Sequence, residues 1–553
     1  MNETIFVTFP DGKQIQVTKG TSVKKCINEF GVPEEHLFGV KINNEICSTD
    51  TQIEYSCNVS PVIDNSKEGC EIYRRSLCLL LACASHKLYP GARLLVGHSL
   101  GYGYYYTLES GSKIKTAEIE ALKNEMLKII QAETPITLER ISHSQACELF
   151  EKLNLADTRK QLNFFCPPSV RINTIDGFSD LYFGPVVPST KYLKVFDLKE
   201  YGEGFLLRFP KSNDHSKLPE FVDEPKLFEV YKKYKDWGKR VGVTSAATLN
   251  EIALSKHAIT DFINITETFQ EKNIADTASK IVESGKVKVV LIAGPSSSGK
   301  TTTSKKLALE LQAIGYTPKV ISLDCYYLGA DKTPKDENGN PDFECLEALD
   351  VELINQNLID LFDGKEVIIP TYDFHTSSRF FEDKNKMKLG ENEILVMEGI
   401  HGLNPKLTAK IPDENKFKIY LSPLTQLNLD DHNRISTRSN RLVRRIVRDA
   451  RYRGKPAAGT IAMWDSVQKG ELLHIFPFQN NADAILNTAL DYELAVLKVY
   501  AEPLLRAVRP DQIEYAEATE LLSFLSKFPS IPATDVPSHS IIREFIGGSA
   551  FKY

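Results

Sequence analysis

A glycine-rich segment, GPSSSGKT at residues 294–301, separates an apolar run that begins at Val287 from a stretch with helical character. A loop of this composition, entered from a strand and left by a helix, wraps its backbone N–H groups around phosphate. The flanking strand and helix are the context that distinguishes such a loop from a plain Gly/Ser-rich turn. The segment therefore predicts a binding site for a nucleoside triphosphate.

Each residue type in this loop has a physical task. Gly294 and Gly299 let backbone N–H groups turn inward, Lys300 reaches the β- and γ-phosphates, and the Thr301 hydroxyl ligates Mg²⁺. The helix that starts near Lys300 adds its positive N-terminal end. We therefore expect ATP and Mg²⁺ as cofactors. The expected nucleotide-binding residues are Gly294, Ser296, Ser297, Ser298, Gly299, Lys300, Thr301 and Thr302.

Composition narrows the class of protein. The 553 residues, 42% hydrophobic and 25% charged, are too many for one core and predict three or four domains. A formal net charge of -6 argues against an overall electrostatic grip on nucleic acid or on an anionic membrane. The ten scattered cysteines and the lack of a long apolar run predict a cytoplasmic protein that does not contact membranes.

Apolar strands alternate with helix-length stretches from Lys286 onward. The strand-like runs are VKVVLIAG, PKVISLD, EVIIP, NEILVMEG, FKIYLS and ADAILN. That alternation predicts a mostly parallel sheet with helices on both faces.

The N-terminal half has a different pattern. Ile5, Val7 and Phe9 lead into a turn at Asp11 and predict a hairpin in a small α+β module. The further elements predicted are helices near residues 22–30, 74–87, 117–132 and 144–153, strands near 37–42, a hairpin at 97–108, and mostly helical structure over 219–284.

Two acidic residues follow strands of the predicted parallel sheet. Asp324 ends the run PKVISLD and Glu398 ends EILVMEG, which places both at the ligand-binding edge of an open α/β sheet. We interpret Asp324 as a general base, and Glu398 as a group that holds the Mg²⁺ hydration shell together with Thr301. The alternative for each is a carboxylate that caps a turn.

A basic stretch spans residues 440–455. Arginines at 441, 444, 445 and 448 share one face of the predicted helix, and apolar residues occupy the other. Arg451 and Arg453 continue the basic run. It predicts a lid that supplies charge to a transferring phosphoryl group. A solvated basic face and an RNA-binding face are the alternatives.

The order of motifs is familiar. GPSSSGKTT, SLDCYY, DFECLEALD, PTYDF, VMEGI and RRIVRDARYRG together resemble the uridine kinase and phosphoribulokinase family over about residues 286–500. The resemblance implies that Asp324 deprotonates a nucleoside 5′-hydroxyl, that Tyr327 lies near the acceptor sugar and that Glu344 binds the ribose hydroxyls. It adds Phe343, Tyr372 and Phe374 to the acceptor site. The catalytic residues it implies are Lys300, Asp324 and the lid arginines Arg448 and Arg453.

The resemblance has one departure. Where uridine-cytidine kinases place a base-reading histidine, this chain has Ser377, with His375 two residues earlier. A pocket that loses its polar base reader loses discrimination first, so the identity of the base stays open.

The N-terminal half carries a second resemblance. Residues 1–62 resemble a TGS domain, and ASHKLYPGARL, GHSLGYGYYY and DLYFGPVVPST resemble the editing domain of threonyl-tRNA synthetase. The His and Cys residues of the editing family correspond here to Arg75, Leu79, Tyr182 and Val187. These side chains do not activate water as imidazole and thiolate groups do. We therefore predict a binding, regulatory or assembly module without hydrolytic activity.

The predicted organisation is a multidomain α/β protein. Its parts are a TGS-like β-grasp domain at 1–62, an α+β editing-like domain at 63–215, a helical connector at 216–285, a P-loop kinase domain at 286–510 and a C-terminal tail at 511–553.

Three functions fit the sequence. The leading one is an ATP-dependent nucleoside kinase acting on uridine or cytidine. A phosphoribulokinase-like kinase of another hydroxyl metabolite would show a second cluster of basic residues for the acceptor's phosphate. An RNA-associated, nucleotide-dependent regulator would need no base aimed at an alcohol, and salt-dependent tRNA binding by the N-terminal half would support it. A homo-oligomer is left open.

Overall fold

The computed structural model describes residues 3–109, 111, 113–212, 214–335, 337, 339–373 and 376–552. The chain divides into two compact units. The first comprises Met1–Ser255, Thr425–Ser436 and Ala501–Ile531. The second comprises Lys256–Leu424, Thr437–Tyr500 and Pro532–Tyr553. Each unit is therefore built from segments that are separated in the sequence.

The N-terminal module of the first unit is a small mixed sheet. Its strands are β1 (Thr4–Thr8), β2 (Gln14–Thr18), β3 (Thr21–Ser22), β4 (Leu37–Ile42), β5 (Glu45–Cys47), β6 (Gln52–Ile53) and β7 (Cys57–Ile63). Five of them lie in the order β2-β1-β7-β4-β5, with β1 parallel to β7. The predicted hairpin is confirmed as β1–β2, and the predicted short helix is a 3₁₀ helix, Val23–Phe30.

A long buried helix organises the next block. The elements are α1 (Lys67–Leu88), β8 (Arg93–Leu100), β9 (Gly103–Glu109), α2 (Thr116–Gln131), β10 (Ile136–Ser142), α3 (His143–Lys152), α4 (Ala156–Gln161), β11 (Ser169–Ile175), β12 (Phe178–Asp180), β13 (Asp197–Tyr201) and β14 (Gly204–Arg208). Two antiparallel sheets form, β13-β14-β9-β8 and β10-β11-β12. The predicted helices are confirmed, although α1 begins at Lys67, because Ser66 caps it by accepting from the Gly69 N–H.

Three helices follow: α5 (Pro225–Val241), α6 (Ala246–Ala253) and α7 (Lys256–Glu283). They confirm the predicted helical stretch. In the part of the chain that the structure describes, every helix is too short or too polar to cross a bilayer.

The second unit contains the predicted parallel sheet. Its elements after α7 are β15 (Val289–Ala293), α8 (Lys300–Ala313), β16 (Thr317–Ser322), α9 (Val351–Phe362), β17 (Val367–Ile368), β18 (Thr371–Asp373), β19 (Ser378–Phe380), β20 (Lys386–Met387), β21 (Glu393–Glu398), β22 (Lys416–Ser422), α10 (Thr437–Arg453), α11 (Ala457–Ala462), α12 (Trp464–His474), β23 (Ala484–Asn487) and α13 (Glu493–Arg506). The first unit contains the end of α13 from Ala501 onward and the helix α14 (Tyr515–Leu525), whereas α15 (Arg543–Ile546) belongs to the second unit. Residues 511–553 divide between the two units.

Five strands pair in the order β16-β21-β15-β22-β23, and every pair is parallel. Val289 and Leu291 face one apolar core, which includes α9, and Val290 and Ile292 face another, which includes α7 and α8. The predicted sheet with helices on both faces is confirmed. The inclusion of EVIIP in it is wrong, because β17 pairs antiparallel with β20 in a separate ribbon.

Candidate active site

The phosphate-binding loop joins β15 to α8. Ser297 and Gly299 have positive φ angles, +58° and +84°, which turn successive N–H groups toward one side. A Cβ atom at position 294 would lie 2.5 Å from the Leu421 carbonyl oxygen, so only glycine fits there. The loop has the concave backbone that binds anions, next to the N-terminus of a 14-residue helix.

Three arginines of α10 hold this loop from outside. Arg441 Nε donates to the Ser296 carbonyl at 2.9 Å, and Arg444 Nη1 donates to the Ser297 carbonyl at 3.2 Å. Arg445 Nη1 donates to Ser296 Oγ at 2.8 Å. Arg441 and Arg444 thus fix two carbonyl oxygens of the loop, and Arg445 fixes the Ser296 hydroxyl, so α10 holds the loop backbone in place.

The basic face of α10 is buried. Arg441, Arg444 and Arg445 are 3%, 0% and 8% exposed. Arg441 pairs with Glu471 and Arg444 pairs with Glu493. A solvated basic face is therefore wrong for these three residues, because buried carboxylates and loop carbonyls satisfy their guanidinium groups.

Lys300 is the half-buried cation of the loop. Its Nζ atom donates to the carbonyls of Gly294 and Pro295, at 3.0 and 3.2 Å. Burial lowers the pKa of Lys300, while the neighbouring carboxylates of Glu398 and Asp324 act in the opposite direction. These two carboxylates therefore lie within electrostatic range of the ammonium that the sequence assigns to the nucleotide phosphates.

Asp324 lies just beyond the strand that was expected to contain it. β16 ends at Ser322, and Asp324 sits in a 3₁₀ turn, Leu323–Tyr326, where its N–H donates to Ser322 Oγ at 3.3 Å. Burial raises the pKa of Asp324, and Lys300 and Arg453 lower it. The turn keeps this carboxylate at the carboxyl edge of the sheet.

Glu398 ends β21 as predicted and accepts a hydrogen bond from Thr301 Oγ1 at 3.3 Å. Burial and the nearby Asp324 carboxylate raise the pKa of Glu398 to about 7. A hydroxyl and a buried carboxylate are oxygen ligands of the kind that Mg²⁺ takes alongside phosphate oxygens and water. No described cluster of three or more His, Cys, Asp or Glu residues forms a cage for a metal. Thr301 and Glu398 therefore fit a cation that is held largely by the nucleotide.

The predicted acceptor residues lie together. The Tyr327 ring is 5.6 Å from the Phe343 ring and 5.4 Å from the Tyr372 ring, centroid to centroid. Tyr327 Oη donates to the Phe343 carbonyl at 3.1 Å. Phe374, the fourth aromatic residue predicted for this site, lies outside the described residues.

Glu344 is the next residue in the chain after Phe343, one of these aromatic residues. Burial and the nearby Glu471 carboxylate raise the pKa of Glu344 to about 7, while Arg445 and Lys300 lower it. Gly470 packs so closely that a Cβ atom there would lie 2.8 Å from Glu344 Cβ. Glu344 is thus a half-buried hydrogen-bond acceptor near both the aromatic residues and the loop cations.

The two predicted lid arginines have different surroundings. Arg448 Nη1 lies 3.9 Å from Glu544 Oε1, and burial lowers the pKa of Arg448. The Arg453 side chain is 58% exposed and lies 3.3 Å from the Asp449 carboxylate. Arg453 nevertheless lies close enough to Asp324 to lower the pKa of that carboxyl group.

Three acidic residues of the site were missed in the sequence. Glu471 accepts from the Ser296 N–H at 2.9 Å, Glu493 pairs with Arg444, and Glu544 accepts from Thr302 Oγ1 at 2.6 Å. None stands in a recognisable motif. The sequence signal for these acidic residues was indirect. The helix α10 carries apolar residues on one face and four arginines on the other, and arginines on a buried face need acidic partners.

In the first unit, the four positions aligned with the editing residues lie close together. Leu79, Tyr182 and Val187 are buried in the same apolar core. Arg75 Nη1 donates to the Pro185 carbonyl at 2.8 Å, next to that core. None of these four side chains is an imidazole or a thiol.

A segment of the same unit, Thr425–Ser436, packs against this region. Asn433 Nδ2 donates to the Leu181 carbonyl at 2.7 Å. His432 Nδ1 lies 2.6 Å from Asp180 Oδ2, and Asp180 raises the pKa of His432 against the effect of burial. These buried contacts tie the segment to the strand-loop region that contains Tyr182.

Comparisons with known proteins agree with both halves of this description. Residues 289–495 match the Phosphoribulokinase / Uridine kinase family. The N-terminal half matches threonine–tRNA ligases. The one from Symbiobacterium thermophilum is 26% identical over 201 residues, which are 36% of this chain and 31% of the ligase. The one from Maridesulfovibrio salexigens is 29% identical over 34% of this chain and 30% of the ligase.

The chain thus spans about a third of the length of the curated relatives it matches. A solved structure described as a "Possible Uridine Kinase" from Bacillus stearothermophilus aligns over 39% of this chain and 98% of that chain, with 18% identity and a TM-score of 0.27. The matches confirm the two resemblances drawn from the sequence: a kinase-family region in the C-terminal part, joined to an N-terminal half similar to part of a threonine–tRNA ligase.

Proposed function

We propose that the second unit is an ATP-dependent kinase that transfers the γ-phosphoryl group of ATP to the 5′-hydroxyl of a ribonucleoside. Uridine and cytidine are the leading candidate substrates. One observation carries the proposal: the half-buried Lys300 of the phosphate-binding loop lies in the field of two carboxylates, Asp324 and Glu398. Phosphoryl transfer needs this combination of a cation for phosphate, a base for the acceptor and an acidic group for a metal.

Asp324 is the base in this proposal. The acceptor oxygen attacks the γ-phosphorus, the bond to the β–γ bridging oxygen breaks, and the hydroxyl proton passes to the Asp324 carboxylate. Burial raises the pKa of Asp324 from its ordinary value, which makes the carboxylate a stronger proton acceptor. Arg448 and Arg453 supply positive charge near the transferring group.

Thr301 and Glu398 would hold Mg²⁺. The bound ion would neutralise phosphate charge. Its proximity would also relieve the repulsion between Glu398 and Asp324 that raises the pKa of Glu398.

The acceptor side supports a nucleoside over a sugar phosphate. Tyr327, Phe343 and Tyr372 offer aromatic surface for a base, and Glu344 offers a carboxylate for ribose hydroxyls. A sugar-phosphate acceptor would instead bring its negatively charged phosphate close to the Glu344 carboxylate, which would repel it. Ser377 stands at the turn between β18 and β19, beside Tyr372, and leaves the choice of base open.

The test is ATP consumption by the full chain with Mg²⁺ over a panel of ribonucleosides, deoxynucleosides, ribulose 5-phosphate and pantothenate, with products identified by mass. A nucleoside 5′-monophosphate is the expected product. Lys300→Ala is the matched control, and it should abolish turnover because the triphosphate loses its cation. Turnover of a sugar phosphate alone, or of none of these acceptors, would contradict the proposal.

The N-terminal match supports a second proposal, that the first unit binds tRNA. This activity is separate from phosphoryl transfer, and the ten free cysteines are in keeping with the cytoplasm as the site of both. Filter binding of tRNA by the full chain over a range of salt concentrations tests it. Affinity that falls with salt is expected, and the absence of binding at low salt would reject this role.

A further inference from the structure

The C-terminal segment of the second unit packs directly on the phosphate-binding loop. A Cβ atom at Gly299 would lie 2.7 Å from Ile541 Cγ2, so the isoleucine rests on the loop backbone. Phe545 packs under the guanidinium of Arg444 at 5.1 Å. Ile541 and Phe545 are both fully buried, and they anchor the segment beside the nucleotide site.

Glu544 takes a position suited to phosphate. Its Oε2 atom accepts from Thr302 Oγ1 at 2.6 Å and from the Thr302 N–H at 3.4 Å. Its Oε1 atom lies 3.9 Å from Arg448 Nη1. Thr302 belongs to the first turn of α8, whose N–H groups carry the positive end of the helix dipole and cradle nucleotide phosphates in loops of this kind.

The Glu544 carboxylate and a nucleotide phosphate would compete for the same donors, the N–H and hydroxyl of Thr302. Glu398, Asp324 and Glu544 all act on the ammonium group of Lys300. A nucleotide phosphate at the Thr302 N–H would meet the Glu544 carboxylate at hydrogen-bonding range of the same donor. The phosphate and the Glu544 carboxylate are both negatively charged, and two anions that share one donor repel strongly in a buried site.

We propose that Glu544 is an intramolecular anion that competes with nucleotide phosphate for the first turn of α8, so that nucleotide binds only when the carboxylate leaves Thr302. The proposal rests on the nucleotide binding proposed above and adds its regulation. Ile541 and Phe545 keep the segment attached while the Glu544 side chain moves. Because the Glu544 carboxylate must first leave Thr302, it would lower the affinity of the first turn of α8 for nucleotide.

The test is titration calorimetry of the full chain with ADP and Mg²⁺, comparing the wild type with Glu544→Gln. The glutamine keeps a hydrogen-bond acceptor and removes the charge. We expect Kd for ADP to fall by about ten- to a hundredfold, which corresponds to release of one charge-assisted hydrogen bond. Asp535→Asn removes a carboxylate from the same segment and should leave Kd unchanged.

A Glu544→Gln variant that binds ADP no more tightly than Asp535→Asn would overturn the inference while leaving nucleotide binding intact. Absence of ADP binding by the wild type and by every variant would overturn the inference together with the proposed function. Glu544→Asp provides a second variant should Glu544→Gln fail to fold. Its shorter side chain withdraws the carboxylate from Thr302, so an intermediate fall in Kd is expected, and a rise in Kd would contradict the competition.

Discussion

Arg444 and Glu493 form a buried ion pair behind the phosphate-binding loop, with Nη2 at 2.6 Å from Oε2 and Nε at 3.2 Å from Oε1. The same guanidinium donates to the carbonyls of Ser297 and Thr488. Removal of the arginine would leave the Glu493 charge uncompensated in the interior. We predict that Arg444→Met lowers the free energy of unfolding by about 3–5 kcal/mol.

Urea unfolding followed by the fluorescence of Trp464 measures this loss. The chain has two tryptophans, so a Trp237→Phe background leaves Trp464 as the single reporter, in the second unit. Combining Arg444→Met with Glu493→Gln should recover part of the loss, because no buried charge is then unpaired. A loss below about 1 kcal/mol for Arg444→Met alone would show that the pair does not hold the loop.

Asp324→Asn should separate binding from chemistry. The substitution keeps the size of the side chain in its 3₁₀ turn and removes the proton acceptor. We expect kcat to fall by about 10²–10⁴-fold, while Kd for ATP stays within about threefold of the wild type. Rapid-quench turnover and calorimetry give the two values. Asp342→Asn, a carboxylate next to Phe343, is the control, and an equal fall in its kcat would argue against a special role for Asp324.

Glu344→Gln should act on the acceptor. Glu344 is half-buried, packs closely against Gly470 and lies near Tyr327. Loss of a charge-assisted hydrogen bond to a ribose hydroxyl is expected to raise KM for the nucleoside by about 10–100-fold, with KM for ATP little changed. Initial rates at varied nucleoside and fixed ATP measure it. A deoxynucleoside offers a check, since its KM should respond less to the substitution.

The parts of the fold that follow from local physics were predictable. The residues of β15 form a continuous apolar run because both faces of the strand are buried. The loop after β15 needs glycine at position 294, where the Leu421 carbonyl approaches the backbone. The run EVIIP has similar composition, yet β17 pairs with β20. Pairing of short apolar strands depends on distant residues, which periodicity does not report.

The acidic half of the site was not predictable for a related reason. Charge patterning marks arginines on a helix face, but it does not say whether that face meets water or a carboxylate. Glu471, Glu493 and Glu544 come from three separate helices and are brought to the loop only by the tertiary fold. The aromatic residues proposed for the acceptor site, in contrast, were identified because a family resemblance aligned them.

The first unit should not hydrolyse aminoacyl esters. Leu79, Tyr182 and Val187 pack in an apolar core, and none of them activates water. Mischarged seryl-tRNA incubated with the full chain should therefore decay at the rate of the buffer control. Restoring one histidine by Leu79→His is not expected to restore hydrolysis, because Arg75, Tyr182 and Val187 still replace the other groups of the editing family. Decay faster than the buffer rate by the wild type would contradict this prediction.

The raised pKa values of Glu398 and Glu344, each about 7, make the stability of the ligand-free protein depend on pH. An unfolded glutamate titrates near 4.5, so between about pH 4.5 and 7 the native state binds more protons than the unfolded state. These two groups therefore lower the free energy of unfolding as pH rises through that window, by up to about 3 kcal/mol each, while His401, whose pKa burial lowers to about 4, contributes in the opposite direction below about pH 6.5. Urea midpoints of the Trp237→Phe protein at pH 5, 6, 7 and 8 measure this fall.

The double variant Glu398→Gln with Glu344→Gln should lose most of that dependence. Glu393, at the other end of β21, is the matched control, because the Gly390 N–H and Lys319 lower the pKa of Glu393. Glu393→Gln should therefore retain the fall between pH 5 and 7, and it should lose stability relative to the wild type only above the pKa of Glu393, where the wild-type carboxylate is charged. Saturating Mg²⁺ and ADP should flatten the wild-type profile, since a bound cation favours the ionised Glu398. Identical profiles for the wild type and the double variant would mean that these carboxyl groups titrate normally and that the site is open to water.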